Sequence, residues 1–197
     1  MAAKTFALSK NYYLLLPDTN IVHKHASEEK FDLHKLSTKV SIYEDRVRTW
    51  FLDIAKRLER NNEAGFVILS IAVAYIEGNQ QFREGKSSRN HSKKFFVRGV
   101  QRIFEKEDVP KDILEQYYYR IRCWLFHEGM TGKNVAISGE FDRPIAHAGG
   151  SDGRIEINPH LFLDRIISDF DEYVKQLKSD SKPLVESFEK KWKIDYE

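Results

Sequence analysis

From Ala64 to Phe82 the sequence is apolar almost all round, with Phe66, Val67, Ile68, Leu69, Ile71, Val73, Tyr75 and Ile76 in close succession. No helix with such a surface is stable facing water on every side, so this one must be central, with other elements packed around it. The apolar run within it, Phe66 to Ile76, is broken by Ser70 and falls well short of the roughly 20 residues that span a bilayer. The lone acid of this helix, Glu77, has two readings: a solvated carboxylate near the helix end, or the partner of a functional arginine.

The flanking segments supply what would surround it. Val40, Tyr43, Val47, Trp50, Ile54 and Leu58 recur at spacings of three and four, predicting one long amphipathic helix from Val40 to Arg60. After a polar loop, Gly85 to Asn90, a helix is expected with Phe95, Phe96, Val100, Ile103 and Phe104 facing inward. Asp108 and Pro110 read as the start of the next, with Ile113, Leu114, Tyr117, Ile121, Trp124 and Leu125 as its apolar stripe and Gly129 or Gly132 as its stop. Asn158-Pro159 opens another, and Pro183 starts a last short one to about Trp192. Val135 and Ile137, then Ile155 and Ile157, alternate around a glycine-rich loop and predict a β-hairpin. The loop's Gly149-Gly150-Ser151-Asp152-Gly153 lacks the strand-to-helix context of a phosphate loop. The expected fold class is mostly α: an up-and-down bundle of five to six helices in residues 40–197, with the hairpin inserted at about 133–157. Residues 1–39 form an N-terminal extension, read as a strand or packed arm.

Composition narrows the function. A formal net charge of +2 is too small for a bulk polyanion argument, so any basic footprint is local. That footprint is Arg83 to Arg102, where Arg83, Lys86, Arg89, Lys93, Lys94, Arg98 and Arg102 face a single acid, Glu84. It reads either as a solvated face or as a surface for an RNA backbone. The single cysteine, Cys123, excludes an internal disulfide and suits a reducing, cytoplasmic setting. No signal peptide and no membrane segment are expected. His23, His25 and His34 lack an accompanying metal-ligand pattern and read as surface histidines.

The chemistry concentrates in Tyr117 to Met130, where Arg120, Arg122 and His127 stand among bulky apolar residues. Arginine binds phosphate through a planar fork, and histidine moves protons near neutrality. Together they suit phosphodiester cleavage of RNA, which needs neither metal nor cofactor. His127 could take the 2′-hydroxyl proton or protonate the leaving oxygen. An arginine would stabilise the charged phosphorane. His127-Glu128 begins like a zinc-protease helix, but Thr131 stands where the second histidine belongs, and Cys123 reads as a core thiol. On an ideal helix, positions five apart point about 140° from each other. Arg122 and His127 thus need a long arginine stem, a distorted helix or a second chain to meet, whereas Arg120 lies nearly on the face of His127.

Arg122-Cys123-Trp124-Leu125-Phe126-His127 resembles the Arg-x(4–6)-His motif of the HEPN superfamily, and Arg120 to His127 fits its longer spacing. The preceding apolar helix with Tyr75-Ile76-Glu77-Gly78 also looks like HEPN proteins, and Glu128-Gly129-Met130 after the motif is similar to a plasmid- and prophage-associated branch. The resemblance implies a metal-independent endoribonuclease that dimerises so that two motif helices line one cleft. Many such proteins are toxins, with a cognate antitoxin, or act against phage. It implies Arg122 and His127 as the catalytic pair. Arg120, Arg83, Lys86, Arg89, Lys93 and Lys94 are then the phosphate or RNA contacts, and Glu77, Tyr119 and Glu128 the supporting residues. Cys123 stands where the family often has a polar residue. The alternative is an inactive member that binds nucleotide, RNA or a partner protein.

Overall fold

The computed structural model describes residues 4–61, 63–107, 109–149 and 153–196. It is mostly α. Four short strands come first: β1 (Lys4–Ala7), β2 (Tyr12–Leu16), β3 (Ile21–Lys24) and β4 (Lys30–Asp32), paired antiparallel in chain order. The expected arm is therefore a sheet. Alternation puts Leu14 and its cross-strand partner Val22 on the buried face, within the same apolar core as the helices. Asp45 fastens the sheet down by accepting from Ser9 Oγ (2.5 Å) and from the backbone and side chain of Asn11.

The predicted long helix is divided. α1 (Leu36–Val47) passes through a π-helical turn, Arg48–Leu52, into α2 (Asp53–Leu58). The wide turn inserts an extra residue into the period, so Val47 is followed on the inner face by Leu52 and Ala55. Trp50 and Ile54, which a strict helical period places inside, are 42% and 36% exposed.

α3 (Gly65–Glu84) is central, as expected, and packs against α4 (Ser92–Ile103), α7 (Pro159–Lys178) and α8 (Lys182–Tyr196). Ile68, Leu69, Val73 and Ile76 are completely buried. Burying each such side chain contributes about 1.5–3 kcal/mol. α4 crosses α3 at Gly99, where an added Cβ would meet Ile76 Cγ2 at 2.6 Å. α3 ends at Gly85, whose φ of 63° is left-handed, and Lys86 N caps back onto the Gln81 carbonyl. Gly85 also packs against Ser187 of α8, and Ser88 ties the loop between α3 and α4 to α3 through Gln81 and Glu77.

α5 (Lys111–Tyr117) follows Pro110, which caps the helix rather than entering it; the expected Asp108 cap lies outside the described residues. A second π-helical turn, Tyr118–Cys123, leads into α6 (Trp124–His127). Here Ile113, Tyr117, Ile121 and Leu125 are buried at a constant spacing of four. In a straight α-helix that spacing drifts by about 40° per step. The wide turn offsets the drift and turns Trp124, expected inside, outward.

The predicted hairpin is a three-stranded sheet. β5 (Val135–Ile137) and β7 (Arg154–Ile157) pair parallel, not antiparallel. The crossover between them carries β6 (Ile145–Ala148), the antiparallel partner of β7. Gly150, Ser151 and Asp152 of the glycine loop lie outside the described residues. Asn158 caps α7 as expected, accepting from His160 N and Leu161 N while its amide holds the Gly139 and Phe141 carbonyls. Among the described residues no helix is long and apolar enough to cross a membrane.

Candidate functional site

Arg122 sits in the second π-helical turn and reaches α3. Its Nη2 donates to Glu77 Oε2 at 3.0 Å. Glu77 is 9% exposed, and its other oxygen accepts from Ser88 Oγ at 2.6 Å. A carboxylate this deep is tolerated because both oxygens are partnered. Glu77 is thus an arginine partner, not a solvated helix-end acid. The guanidinium is also cradled by rings, 4.8 Å from the Phe126 centroid and 5.9 Å from that of Tyr118. Of the five N–H donors an arginine offers, one is engaged by hydrogen bonding among the described residues, leaving the rest of the fork for an anion.

His127 is the last residue of α6, exposed, with Glu128 beyond it closing the turn through its N–H to Trp124 O. No hydrogen bond joins Arg122 to His127 among the described residues. The helix is distorted between Tyr118 and Cys123, upstream of most of the Arg122-to-His127 interval, so it does not place the two side chains together by itself. Burial raises the Tyr118 hydroxyl above its usual pKa, and the adjacent Cys123 thiol adds to the rise. Cys123 is half-buried beside that hydroxyl.

Arg120, the rival for phosphate, is tied elsewhere. Its Nη1 donates to Gly153 O at 2.8 Å, and its own carbonyl accepts from Gly132 N at 2.7 Å. It joins the motif helix to the glycine loop. Tyr119 is exposed, with Lys93 Nζ 5.4 Å above its ring.

The basic segment splits. Arg83, expected to contact RNA, turns inward: its Nη2 meets Asp169 Oδ1 at 3.1 Å and its Nε donates to Asn79 at 2.8 Å. Arg102 joins the same carboxylate, and Tyr75 donates its hydroxyl to the other oxygen at 2.9 Å. Burial pulls the Arg83 guanidinium below its usual pKa, with Asp169 opposing the shift. Lys93 pairs with Glu115 at 2.9 Å. Lys86, Arg89 and Lys94 are exposed. Ser88 and Asp169 carry no recognisable motif and neither was expected from the sequence: Ser88 is set by a loop folding back eleven residues onto Glu77, Asp169 by arginines 86 and 67 residues away.

α3 and the first π-helical turn also expose apolar side chains. Phe66 and Val67 on α3 are 44% and 52% exposed, and a Cβ at Gly78 would meet nothing within 4 Å. Trp50, Phe51 and Ile54 flank this face from the first π-helical turn and α2, and Phe51, Ala74 and Gly78 share one cleft. No family model matches the chain, and neither a curated protein nor a solved structure matches it.

Proposed function

We propose that this chain is a cytoplasmic HEPN-type endoribonuclease that cuts RNA without metal or cofactor. The observation that carries the reading is Arg122: a guanidinium fixed by Glu77 and two aromatic rings, with most of its fork uncommitted, on the helix that ends in an exposed His127. The 2′-oxygen attacks the adjacent phosphorus, its proton passes to a base, and the 5′-oxygen leaves with a proton from an acid. The products are a 2′,3′-cyclic phosphate and a free 5′-hydroxyl. His127 performs proton transfer, and Arg122 stabilises the phosphorane charge.

A second copy completes the site. Arg122 and His127 are not hydrogen-bonded in one chain, and α3, which holds Glu77, leaves Phe66 and Val67 exposed in its first turn. Pairing two copies through Phe66, Val67 and the Gly78 stripe would bring two motif helices to one cleft within an up-and-down HEPN-type bundle. It would also supply two histidines, one as base and one as acid. Light scattering is expected to give a dimer, and Val67→Glu a monomer with impaired cleavage. A monomeric wild type that cleaves RNA would remove the composite site. A role as a toxin with a protein antitoxin, or in phage defence, fits this chemistry.

The direct test is cleavage of a mixed RNA pool in EDTA by wild type and His127→Ala. Equal cleavage by both, or none by either, sinks the nuclease. The second reading, an inactive module that binds RNA or nucleotide, draws on Arg122 being engaged by Glu77 apart from His127. It requires saturable binding without turnover, weakened by Arg122→Ala and indifferent to His127→Ala.

A further inference from the structure

With Arg83 and Arg102 turned to Asp169, and Lys93 to Glu115, the basic segment is reduced to a smaller and more concentrated feature. Lys86, Ser87, His91, Lys94 and Arg98 line a cleft of about 210 Å³ with one carboxylate, Glu84. That is several times the roughly 30 Å³ share of a water molecule, so a phosphate group with part of its sugar fits. Three permanent cations face one acid, which gives this cleft as much formal charge as the +2 of the entire chain. The acid is already shared: Glu84 Oε2 holds Arg98 at 2.8 Å and Oε1 accepts from Gln80. The Arg98 guanidinium is further set by the Phe95 ring, 5.1 Å away.

One of the cations stands where folding alone disfavours it. Lys94 occupies the first turn of α4, next to Lys93, which is paired with Glu115; that turn holds no acid, and no side chain caps it. A cation there opposes the helix dipole, whereas an anion at the same place would be stabilised by both the dipole and the lysine. The position also bears on Arg122. The loop that forms one wall of the cleft carries Ser88, whose hydroxyl holds Glu77, and Glu77 holds Arg122.

We propose that this cleft binds a backbone phosphate of a polynucleotide, a subsite that anchors the strand one loop away from Arg122. The identity of the polymer as RNA rests on the ribonuclease reading; the phosphate chemistry does not. The test uses the full chain and a fluorescein-labelled 2′-O-methyl RNA, which has no free 2′-hydroxyl and so cannot be cut. Anisotropy is followed across salt concentrations, with and without a 5′-phosphate on the probe. The exposed pair Lys86→Ala and Lys94→Ala, combined, is expected to weaken binding by about tenfold or more at low salt. It should also flatten the log–log salt dependence by roughly one to two. Lys175→Ala, removing one charge from the end of α7, is expected to change neither. Loss of affinity for both probes supports the backbone subsite; loss confined to the 5′-phosphorylated probe assigns a terminal phosphate and overturns the backbone subsite. Wild-type affinity and salt slope in the double variant overturn it. A chain that binds but never cleaves natural RNA refutes the nuclease and leaves the subsite standing.

Discussion

α3 carries two arginine–carboxylate clusters built from the same chemistry and serving different ends. At its C-terminal end Arg83, with Arg102, surrounds Asp169; one and a half turns earlier Glu77 receives Arg122. Their ion pairs are similarly shielded, with side-chain exposures of 13% for Arg83 and Asp169 against 23% for Arg122 and 12% for Glu77. Depth therefore does not separate them; the number of hydrogen bonds each arginine makes does. In the first cluster Asn79, Gln80 and Asp169 accept six hydrogen bonds from the two arginines, and Tyr75 donates its hydroxyl to Asp169. In the second, one hydrogen bond fixes the arginine, and its remaining contacts are the half-exposed Phe126 ring and Tyr118. An arginine held at several corners stabilises the fold, and an arginine held by one corner keeps donors for an anion.

The sharpest way to break this contrast is Asp169→Ala. It strands two shielded guanidinium groups and the Tyr75 hydroxyl, and should cost about 3–5 kcal/mol in denaturant unfolding. A loss below about 1 kcal/mol would mean the cluster is not structural. His127→Ala is the converse experiment. It is expected to lower RNA cleavage about 10²–10⁴-fold, with stability within about 0.5 kcal/mol of wild type. Comparable damage to folding and cleavage would erase the distinction. Glu77→Gln keeps the shape but removes the charge opposite Arg122, and is expected to cost about 1–3 kcal/mol in stability. RNA affinity should survive it better than turnover, because the arginine remains while its orientation is relaxed. The smallest effect belongs to Ser88→Ala, which removes one hydrogen bond to Glu77. A loss of about 1 kcal/mol in thermal or denaturant unfolding is expected, and no measurable loss would show that Glu77 is positioned by Arg122 alone.

Legibility in the sequence followed the range of the interactions concerned. α3, α4 and α7 were visible because their buried faces repeat with the helical period over three or more turns, and Asn158-Pro159 marks its own helix start. The two π-helical turns were not. A wide turn forms when packing on both sides demands an extra residue in the period, and no local residue pattern announces it. Trp50, Ile54 and Trp124 were placed inside for that reason and point outward. The parallel pairing of β5 with β7 escaped because two alternating runs around a loop read equally well as a hairpin until β6 is seen between them. Arg83 was assigned to RNA because a run of like charges says nothing about an acid 86 residues away.

By itself the sequence determined that α3 is central, that the protein is mostly helical, and that Arg120, Arg122 and His127 fall on one late helix. Periodicity and residue chemistry are local properties and survive without a fold. Tertiary structure alone decided which cations are spent and which remain. It sent Arg83 and Arg102 to Asp169 and Arg120 to Gly153, gave Arg122 to Glu77, and left Lys86 and Lys94 at an open cleft. An ion pair depends on distance in space, and distance in space is what a linear chain does not carry.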